Sequence, residues 1–355
     1  MGSIAWLALL LVVQSATLLA LTTARQSTDP DSSQDASQQE VVDIAACHKR
    51  SQARMNQSAV VDGLHPFFDC FRSYKQVDLF LEGFVASHPT YISKVHVTTT
   101  VEGRKVFGYK LSSGAEVSRR VLYIQGGIHP REWIAISSTV YAIVKLALAH
   151  FDVVVVPLVN IDGYRFTWAS PTNRLWRKNS HGVDLNRNFG PVELFQLSDD
   201  VGSETYPGPS AMSEPETQGI ANYLTTLPSL SGTLDIHTNA GMVLRPLSVK
   251  REPLEGDHET KMERVGAAVA EAMNGGHGKY VSLPGYELYQ GALYAGTFKD
   301  MVYLSLRQTP SLTIELKGGD GFIAPSSSIR PAGDELVEAI HAFATQMLEY
   351  DTIKL

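Results

Sequence analysis

The sequence predicts an α/β protein whose sheet is largely parallel, and three observations support this. Short apolar segments have the length of buried strands, among them "RVLYIQ" (120–125), "DVVVVPLVN" (152–160), "GTLDIHT" (232–238) and "SLTIEL" (311–316). Longer segments between them carry apolar residues at helical spacing. No internal repeat and no second core is evident, so one main domain is expected within the 355 residues.

The chain begins with a predicted signal peptide, residues 1–24. An apolar run of about 17 residues is followed by small residues, although no Lys or Arg precedes it. Cleavage near Ala24 would give a secreted, extracellular protein without stable membrane insertion. The alternative is an uncut membrane anchor, because the run is close to the shortest length that spans a bilayer.

Residues 25–66 are predicted to form an N-terminal extension that is partly disordered. The segment "RQSTDPDSSQDASQQE" (25–40) is polar and lacks aromatic residues, which is typical of a flexible linker. The two cysteines of the chain are Cys47 and Cys70. In a secreted protein their simplest interpretation is one disulfide that fastens the extension, and two buried free thiols are the alternative.

The main domain shows a regular order of predicted elements. A helix at 77–88, a hairpin at 93–113 and a strand at 120–125 precede a helix from Trp133 to about His150 and a strand at 152–160. A long loop from Ile161 to Pro209 leads to a helix at 213–227, a strand at 232–238, a helix at 258–274, a strand at 311–316 and a closing helix at 332–350. The net charge of −7 and the lack of a dense Lys/Arg patch argue against nucleic acid as the main partner.

A metal site is predicted where "GGIHPREW" (126–133) joins a strand to a helix. Pro130 suits the first position of that helix, so His129 and Glu132 would share its first turn. His237 is the strongest third ligand among eleven histidines, because small and polar residues follow it. Two imidazoles and a carboxylate suit zinc, but a His-x-x-Glu pair also arises by chance and does not decide the matter alone.

Several further motifs stand in a fixed order along the chain. They are "PLVNIDGYRFTW", "NRLWRKN", "GVDLNRNF", "SETYPGPSAMSEPET", "DIHTNAG", "TIEL" and "GFIAPSSSIRPAGDEL". With "GGIHPREW" they resemble the zinc metallocarboxypeptidases of the carboxypeptidase A/B type, from about Phe67 to the C-terminus. The resemblance implies a catalytic domain at 67–355 with a mixed, twisted eight-stranded sheet and helices on both faces. It also implies one zinc ion per chain and peptide or protein C-termini as substrates, and we expect a monomer.

The same resemblance implies the chemistry of the site. His129, Glu132 and His237 would bind zinc, and Glu315 would be the general base toward the attacking water. Arg177 would stabilise the oxyanion. These roles suit amide hydrolysis, because zinc lowers the pKa of water and a nearby carboxylate can accept the proton.

Substrate contacts are implied in the same way. Asn186 and Arg187 would hold the terminal carboxylate, which a guanidinium assisted by an amide recognises well. Arg131 and Arg174 would contact the substrate further along. Asp184 would accept a hydrogen bond from the outer ring nitrogen of His129.

The loop "ELYQGALYAGTFKD" (287–300) departs from the family pattern. Tyr294 is the better candidate for the tyrosine that caps the substrate, and Tyr289 is the other. Lys299 occupies the position at the base of the pocket for the last substrate side chain, which suggests a preference for C-terminal Glu or Asp. Alternatively, the shortened loop points Lys299 into solvent.

The predicted function is that of a secreted zinc carboxypeptidase. Two alternatives remain: a weakly active or inactive homologue that binds peptide tails, and a zinc amidase or endopeptidase. An intact set of candidate ligands argues against the first. The pair Asn186 and Arg187 argues against the second, since an endopeptidase has no terminal carboxylate to hold. The short extension either inhibits the enzyme or stabilises it.

Overall fold

Eight α-helices and seven β-strands are present in the described part of the chain. This computed structural model describes residues 30–55, 62–112, 120–227, 229–275, 279–289, 291–318 and 321–350. The helices are α1 Pro30–Met55, α2 Tyr74–Ser87, α3 Trp133–Lys145, α4 Ile161–Thr167, α5 Pro215–Thr225, α6 His258–Asn274, α7 Phe298–Ser305 and α8 Ile329–Glu349. The strands are β1 Ile92–Thr99, β2 Lys105–Leu111, β3 Arg120–Gly126, β4 Phe151–Val156, β5 Leu230–Arg245, β6 Val281–Pro284 and β7 Ser311–Lys317.

The chain divides into two units, Met1–Ala36 and Ser37–Leu355. Of the first unit only residues 30–36 are described, and they form the first turns of α1. The predicted signal peptide, residues 1–24, lies outside the described residues. Among the helices that are described, none combines the length and apolarity needed to cross a membrane.

All seven strands join one mixed sheet, in the order β1-β2-β4-β3-β5-β6 with β7 also paired to β5. β3 is parallel to β4 and β5, whereas β2 is antiparallel to β1 and β4. Every residue of β4 is buried, and so is β3 after its first residue, as expected for strands covered by helices. Helices α3 and α6 both pack against α8, whose buried Phe343 ring lies next to Gly232 of β5. The predicted α/β fold class is therefore confirmed.

The sheet has seven strands rather than the expected eight, because the long strand β5 is counted once. Its residues Thr233–Asn239 pair with β7 from Ser311 to Lys317, so both strands advance together. After Gly241, which has φ +65°, Met242–Leu244 pair with β7 in the reverse order, from Glu315 back to Thr313. β5 thus passes along both sides of β7, and its two halves counted separately would give eight strands.

Several predicted segments differ from the structure, among them the linker, the helix after β3 and the long loop. The expected linker at 25–40 is helical from Pro30 onward, and α1 is held by side-chain bonds that composition does not reveal. Helix α3 ends at Lys145 rather than near His150, since Leu146 already has an extended backbone. The long loop contains α4, which begins where the Asn160 side chain accepts a hydrogen bond from the backbone N–H of Gly163.

The N-terminal extension is fastened covalently. Cys47 of α1 and Cys70 form a disulfide with a Cα–Cα distance of 5.9 Å. The interpretation as one disulfide is therefore correct, and the alternative of two free thiols is wrong.

Candidate functional site

The first two candidate metal ligands lie in the turn between β3 and α3. β3 ends at Gly126, and a Cβ on Gly127 would lie 2.8 Å from the side chains of Ile136 and Leu158. Only glycine therefore fits where the chain leaves the strand. The helix begins at Trp133, as the order of predicted elements has it, with Glu132 as its N-cap residue. The placement of Pro130 at the first position of the helix is therefore wrong.

His129 and Glu132 nevertheless converge in that turn. His129 Nδ1 lies 2.8 Å from Glu132 Oε1, and both side chains are buried. The tight turn brings His129 and Glu132 together, whereas the first turn of a helix was expected to do so.

His237 joins them because β3 and β5 are parallel neighbours. Gly126 pairs with Ile236, which places His237 just beyond the end of β3. Its Nδ1 lies 3.1 Å from Glu132 Oε2 and 3.1 Å from His129 Nδ1. The three ligand atoms lie within 4.8 Å of one another, and these residues form the one such group among the described residues.

The electrostatics of this group favour a cation. Burial opposes the ionisation of Glu132, but His129 and His237 outweigh it and hold the pKa of Glu132 well below its usual range. The carboxylates of Glu132, Asp184 and Asp235 are buried in and around the group, and that of Glu315 is half-buried beside it. Two imidazole nitrogens and a carboxylate oxygen that face one another in such surroundings are the donor set that zinc takes, so the residues fit this metal.

The outer nitrogen of each imidazole has a carboxylate partner. His129 Nε2 lies 3.0 Å from Asp184 Oδ1, the contact expected for Asp184. His237 Nε2 lies 2.8 Å from Asp235 Oδ2. Each partner orients its ring with Nδ1 toward the common centre and makes that nitrogen a better donor.

The role of Asp235 does not follow from the motifs alone. A local signal was nevertheless present, because side chains two residues apart on a strand point to the same face, and "DIH" places Asp235 two residues before His237. Burial lowers the pKa of His237, but Asp235 and Glu132 together raise it well above its ordinary value.

Glu315 faces the same centre from β7. His237 and Glu315 are paired residues of β5 and β7, so their side chains emerge side by side. Burial raises the pKa of Glu315 to about 7, against the opposing charge of His237. The structure thus brings together the three candidate ligands and the predicted base.

Arg177 is fixed by Asp184. Its Nε and Nη2 donate to Asp184 Oδ2 at 2.9 and 2.7 Å, and Nη1 lies 3.5 Å from His129 Nδ1. Burial lowers the pKa of Arg177, but Asp184 and Glu132 outweigh this and raise it. The guanidinium is therefore a permanent, oriented positive charge at the edge of the centre.

A cavity of about 140 Å³ opens over the centre. The described residues that line it include His129, Glu132, His237, Glu315, Arg177, Asn186, Arg187, Tyr289, Tyr294 and Lys299. Asn186 Oδ1 accepts from the backbone N–H of Phe298 at 2.8 Å, and Arg187 Nη1 donates to the carbonyl of Asn186 at 2.7 Å. The Arg187 guanidinium also lies 4.6 Å from the ring centre of Tyr294.

The two candidate capping tyrosines have different surroundings. Tyr294 is mostly buried, and its hydroxyl donates to the Gly285 carbonyl at 3.1 Å. Tyr289 is 49% exposed, and the two rings lie 5.1 Å apart. Both tyrosines border the cavity, so position alone does not choose between them.

Lys299 lies inside the cavity wall and not in solvent. Its residue is 1% exposed, and its ammonium donates to the Ser248 hydroxyl. Asp300 Oδ1 lies 3.3 Å from Lys299 Nζ, and Asp300 Oδ2 accepts from the backbone N–H of Ser248. A Cβ on Gly285 would approach Lys299 Nζ to 2.7 Å, so glycine leaves room for the lysine.

The two arginines expected further along the substrate are placed differently. Arg131 borders an adjoining cavity of about 310 Å³ and forms an ion pair with Glu204 at 2.7 Å. Arg174 is 1% exposed and is paired with Glu40 of α1. It is not among the described residues that line either cavity.

The fold and the donor set define a class: α/β proteins with a candidate metal site made of two histidines and one glutamate. The chain belongs to the zinc carboxypeptidase family, whose model matches residues 77–339. It is 28% identical over 310 residues to carboxypeptidase B2 of Bos taurus, covering 80% of this chain and 72% of that protein.

Two further comparisons mark the range of the family. A carboxypeptidase A structure from Helicoverpa armigera matches with a TM-score of 0.74 at 26% identity, covering 86% of this chain and 80% of the other. The inactive metallocarboxypeptidase ECM14 of Saccharomyces cerevisiae is 26% identical over 343 residues, covering 84% of this chain and 76% of that protein. Membership of the family therefore does not by itself establish catalysis.

Proposed function

We propose that this protein is an active zinc carboxypeptidase that hydrolyses the last peptide bond of peptides or proteins. The observation that carries the proposal is one cavity that is lined by the metal-ligand group, by the half-buried carboxylate of Glu315 and by the side chains of Asn186 and Arg187. A metal centre with a base indicates hydrolysis. A guanidinium beside an amide indicates a substrate that ends in a carboxylate.

Zinc, when bound by His129, Glu132 and His237, would lower the pKa of water and polarise the scissile carbonyl. Glu315 is suited to accept a proton from the attacking water, because a pKa of about 7 lets it exist as a carboxylate near neutral pH. The same group can then donate that proton to the leaving amine. Arg177, held by Asp184, faces the negative charge that develops on the carbonyl oxygen.

Asn186 and Arg187 would bind the terminal carboxylate and so limit cleavage to the last residue. Gly296 supports this placement, because its close approach to the Arg187 carbonyl leaves no space for a Cβ. The backbone N–H of Phe189 also donates to the Gly296 carbonyl at 3.0 Å. The loop that carries Arg187 is therefore held at two points.

Replacing Glu315 by Gln tests the catalytic assignment. The amide cannot accept the proton, so release of a free amino acid should fall by at least about 10²-fold while zinc remains bound. Glu338→Gln, an exposed change on α8, is the control and should behave as the wild type. Full activity of Glu315→Gln would refute the mechanism.

We also propose a preference for C-terminal Glu or Asp. Lys299 places a buried ammonium in the cavity wall, where a substrate carboxylate could reach it. Ser248 and Asp300 already satisfy that ammonium, so an apolar end would leave no unpaired charge. The expected preference for Glu over Leu is therefore modest, about 10-fold to 100-fold.

Peptides that differ only in their last residue, Glu, Leu or Lys, test this preference through kcat/KM. Lys299→Ile should remove the preference for Glu and favour Leu. Ser248→Ala, which keeps the lysine, should retain the preference for Glu. If the wild type prefers Leu and Lys299→Ile changes nothing, the assignment of Lys299 is wrong.

Secretion is part of the same proposal. The Cys47–Cys70 disulfide supports it, since such bonds persist in oxidising compartments. Detection of the protein in culture medium with a new N-terminus near Arg25 would test both secretion and cleavage.

The alternative to an active enzyme is a homologue that binds peptides without cleaving them, and the inactive yeast relative is the reason to test for it. A protein that binds zinc and peptide tails but releases no amino acid would be a binding homologue. Isothermal titration with a peptide, beside the activity measurement, separates the two functions.

A further inference from the structure

The part of α1 after Ala36 buries one narrow face. Its buried residues recur every three or four positions, as on one helical face, and are Ser37, Glu40, Ile44, Cys47 and Ser51. Ile44 is the only branched aliphatic residue among them, so the hydrophobic effect contributes little to docking. Specific bonds hold the helix instead: the disulfide of Cys47, and a contact of 2.8 Å between His48 Nε2 and the Phe71 carbonyl.

Glu40 adds a buried ion pair to these bonds. Arg174 Nε lies 2.5 Å from Glu40 Oε2, and Arg174 Nη2 lies 3.2 Å from Glu40 Oε1. Their side chains are 6% and 1% exposed. A two-pronged pair of this kind fixes both side chains, and loss of either partner leaves a buried charge uncompensated.

Arg174 in turn contacts the residues on both sides of Glu132. Its Nη1 donates to the carbonyl of Arg131 at 2.7 Å, and its guanidinium lies 3.8 Å from the ring centre of Trp133. Its Nη2 donates to the carbonyl of Phe322, a residue that lines the cavity. A continuous set of contacts therefore runs from α1 to the candidate metal ligand.

We propose that Glu40 is a positioning residue for the metal centre. It fixes Arg174, which holds the segment Arg131–Trp133 and thereby the carboxylate of Glu132. The inference rests on the metal site of the proposed function. It makes α1 a retained part of the enzyme rather than a segment that must leave before activity, and the disulfide between Cys47 and Cys70 links the helix covalently to the main domain.

The test measures zinc affinity by competition with a chelator, in the full chain with its disulfide intact. Glu40→Ala should weaken zinc binding by less than the 10-fold to 100-fold that loss of a direct partner of a metal ligand costs, that is by up to about 10-fold, because Glu40 acts through Arg174. Glu40→Gln keeps an oxygen that can accept from Arg174 and should lose less zinc affinity than Glu40→Ala. Asp43→Asn, an exposed change one turn further along α1, should have no effect.

Unchanged zinc affinity in Glu40→Ala would overturn the inference. A rise in kcat/KM at unchanged affinity would overturn it too and show that α1 is an inhibitory cover. If Glu40→Ala does not fold, Glu40→Gln decides, and wild-type affinity in that variant refutes the positioning role. A wild type that binds zinc without releasing amino acids would refute the proposed function, yet zinc affinity would still test the role of Glu40.

Discussion

Replacing Asp235 by Asn tests how the metal centre is built. Asp235 is fully buried, its Oδ2 lies 2.8 Å from His237 Nε2, and its Oδ1 accepts from Gln125 Nε2 at 3.0 Å. Asparagine has the same size and can still accept the ring N–H of His237. The change therefore keeps the size of the side chain but removes its negative charge and one of its two acceptor oxygens.

The magnitude follows from the role of that charge. Asp235 opposes the effect of burial and raises the pKa of His237. Without the charge of Asp235 the imidazole is less basic, and it therefore binds a metal ion less tightly. Changing such an outer partner lowers metal affinity about 10-fold to 100-fold. At about 1.36 kcal/mol per tenfold change, this corresponds to about 1.4–2.7 kcal/mol of binding free energy.

The assay is a zinc titration against a chromophoric chelator near neutral pH. Asp162→Asn is the matched control, since Asp162 is also buried but pairs with Arg104 at 2.6 Å and is not part of the metal-ligand group. That control should lower thermal stability and leave zinc affinity unchanged. A natively folded Asp235→Asn variant with wild-type zinc affinity would refute the reasoning.

Two further predictions concern stability. Burial raises the pKa of Glu216 from 4.5 to about 7, so the folded state binds this proton more tightly than the unfolded state. The free energy of unfolding should therefore fall by roughly 3 kcal/mol as pH rises from about 4.5 to about 7. Urea titrations at about pH 5 and about pH 8 measure this pH dependence, which Glu216→Gln should reduce. Equal pH dependence in the wild type and the variant would contradict the prediction. Changing Cys47 and Cys70 together to Ser should lower the free energy of unfolding by about 3 kcal/mol, since the disulfide closes a loop with a sequence separation of 23. An unchanged urea midpoint would show that the crosslink does not constrain the unfolded chain.

The convergence of the site could be predicted because it depends on strand ends. His129 follows β3, His237 lies in β5 and Glu315 lies in β7, and these are neighbouring parallel segments of one sheet. In an open α/β sheet, residues at the carboxyl ends of such strands meet at one edge. The place of Pro130 could not be predicted, because proline is compatible with both the first turn of a helix and the tight turn that it occupies before α3.

Contacts to the N-terminal extension could not be predicted. The bond between Glu40 and Arg174 joins residues 134 positions apart, and neither has a local motif that identifies the other. Arg174 was expected to meet the substrate because of its place in "NRLWRKN", and that role stays a prediction. In the described structure the Arg174 guanidinium is already paired with Glu40 of α1.

The prediction of a flexible linker from composition failed for residues 30–40 for a physical reason. A segment with few apolar residues is expected to stay disordered, because it cannot bury enough surface to offset its conformational entropy. In α1 a disulfide at Cys47 confines the segment covalently, and a charge pair at Glu40 supplies a specific bond. Neither contribution scales with apolar area, so a polar segment can be ordered wherever a crosslink and one buried ion pair coincide.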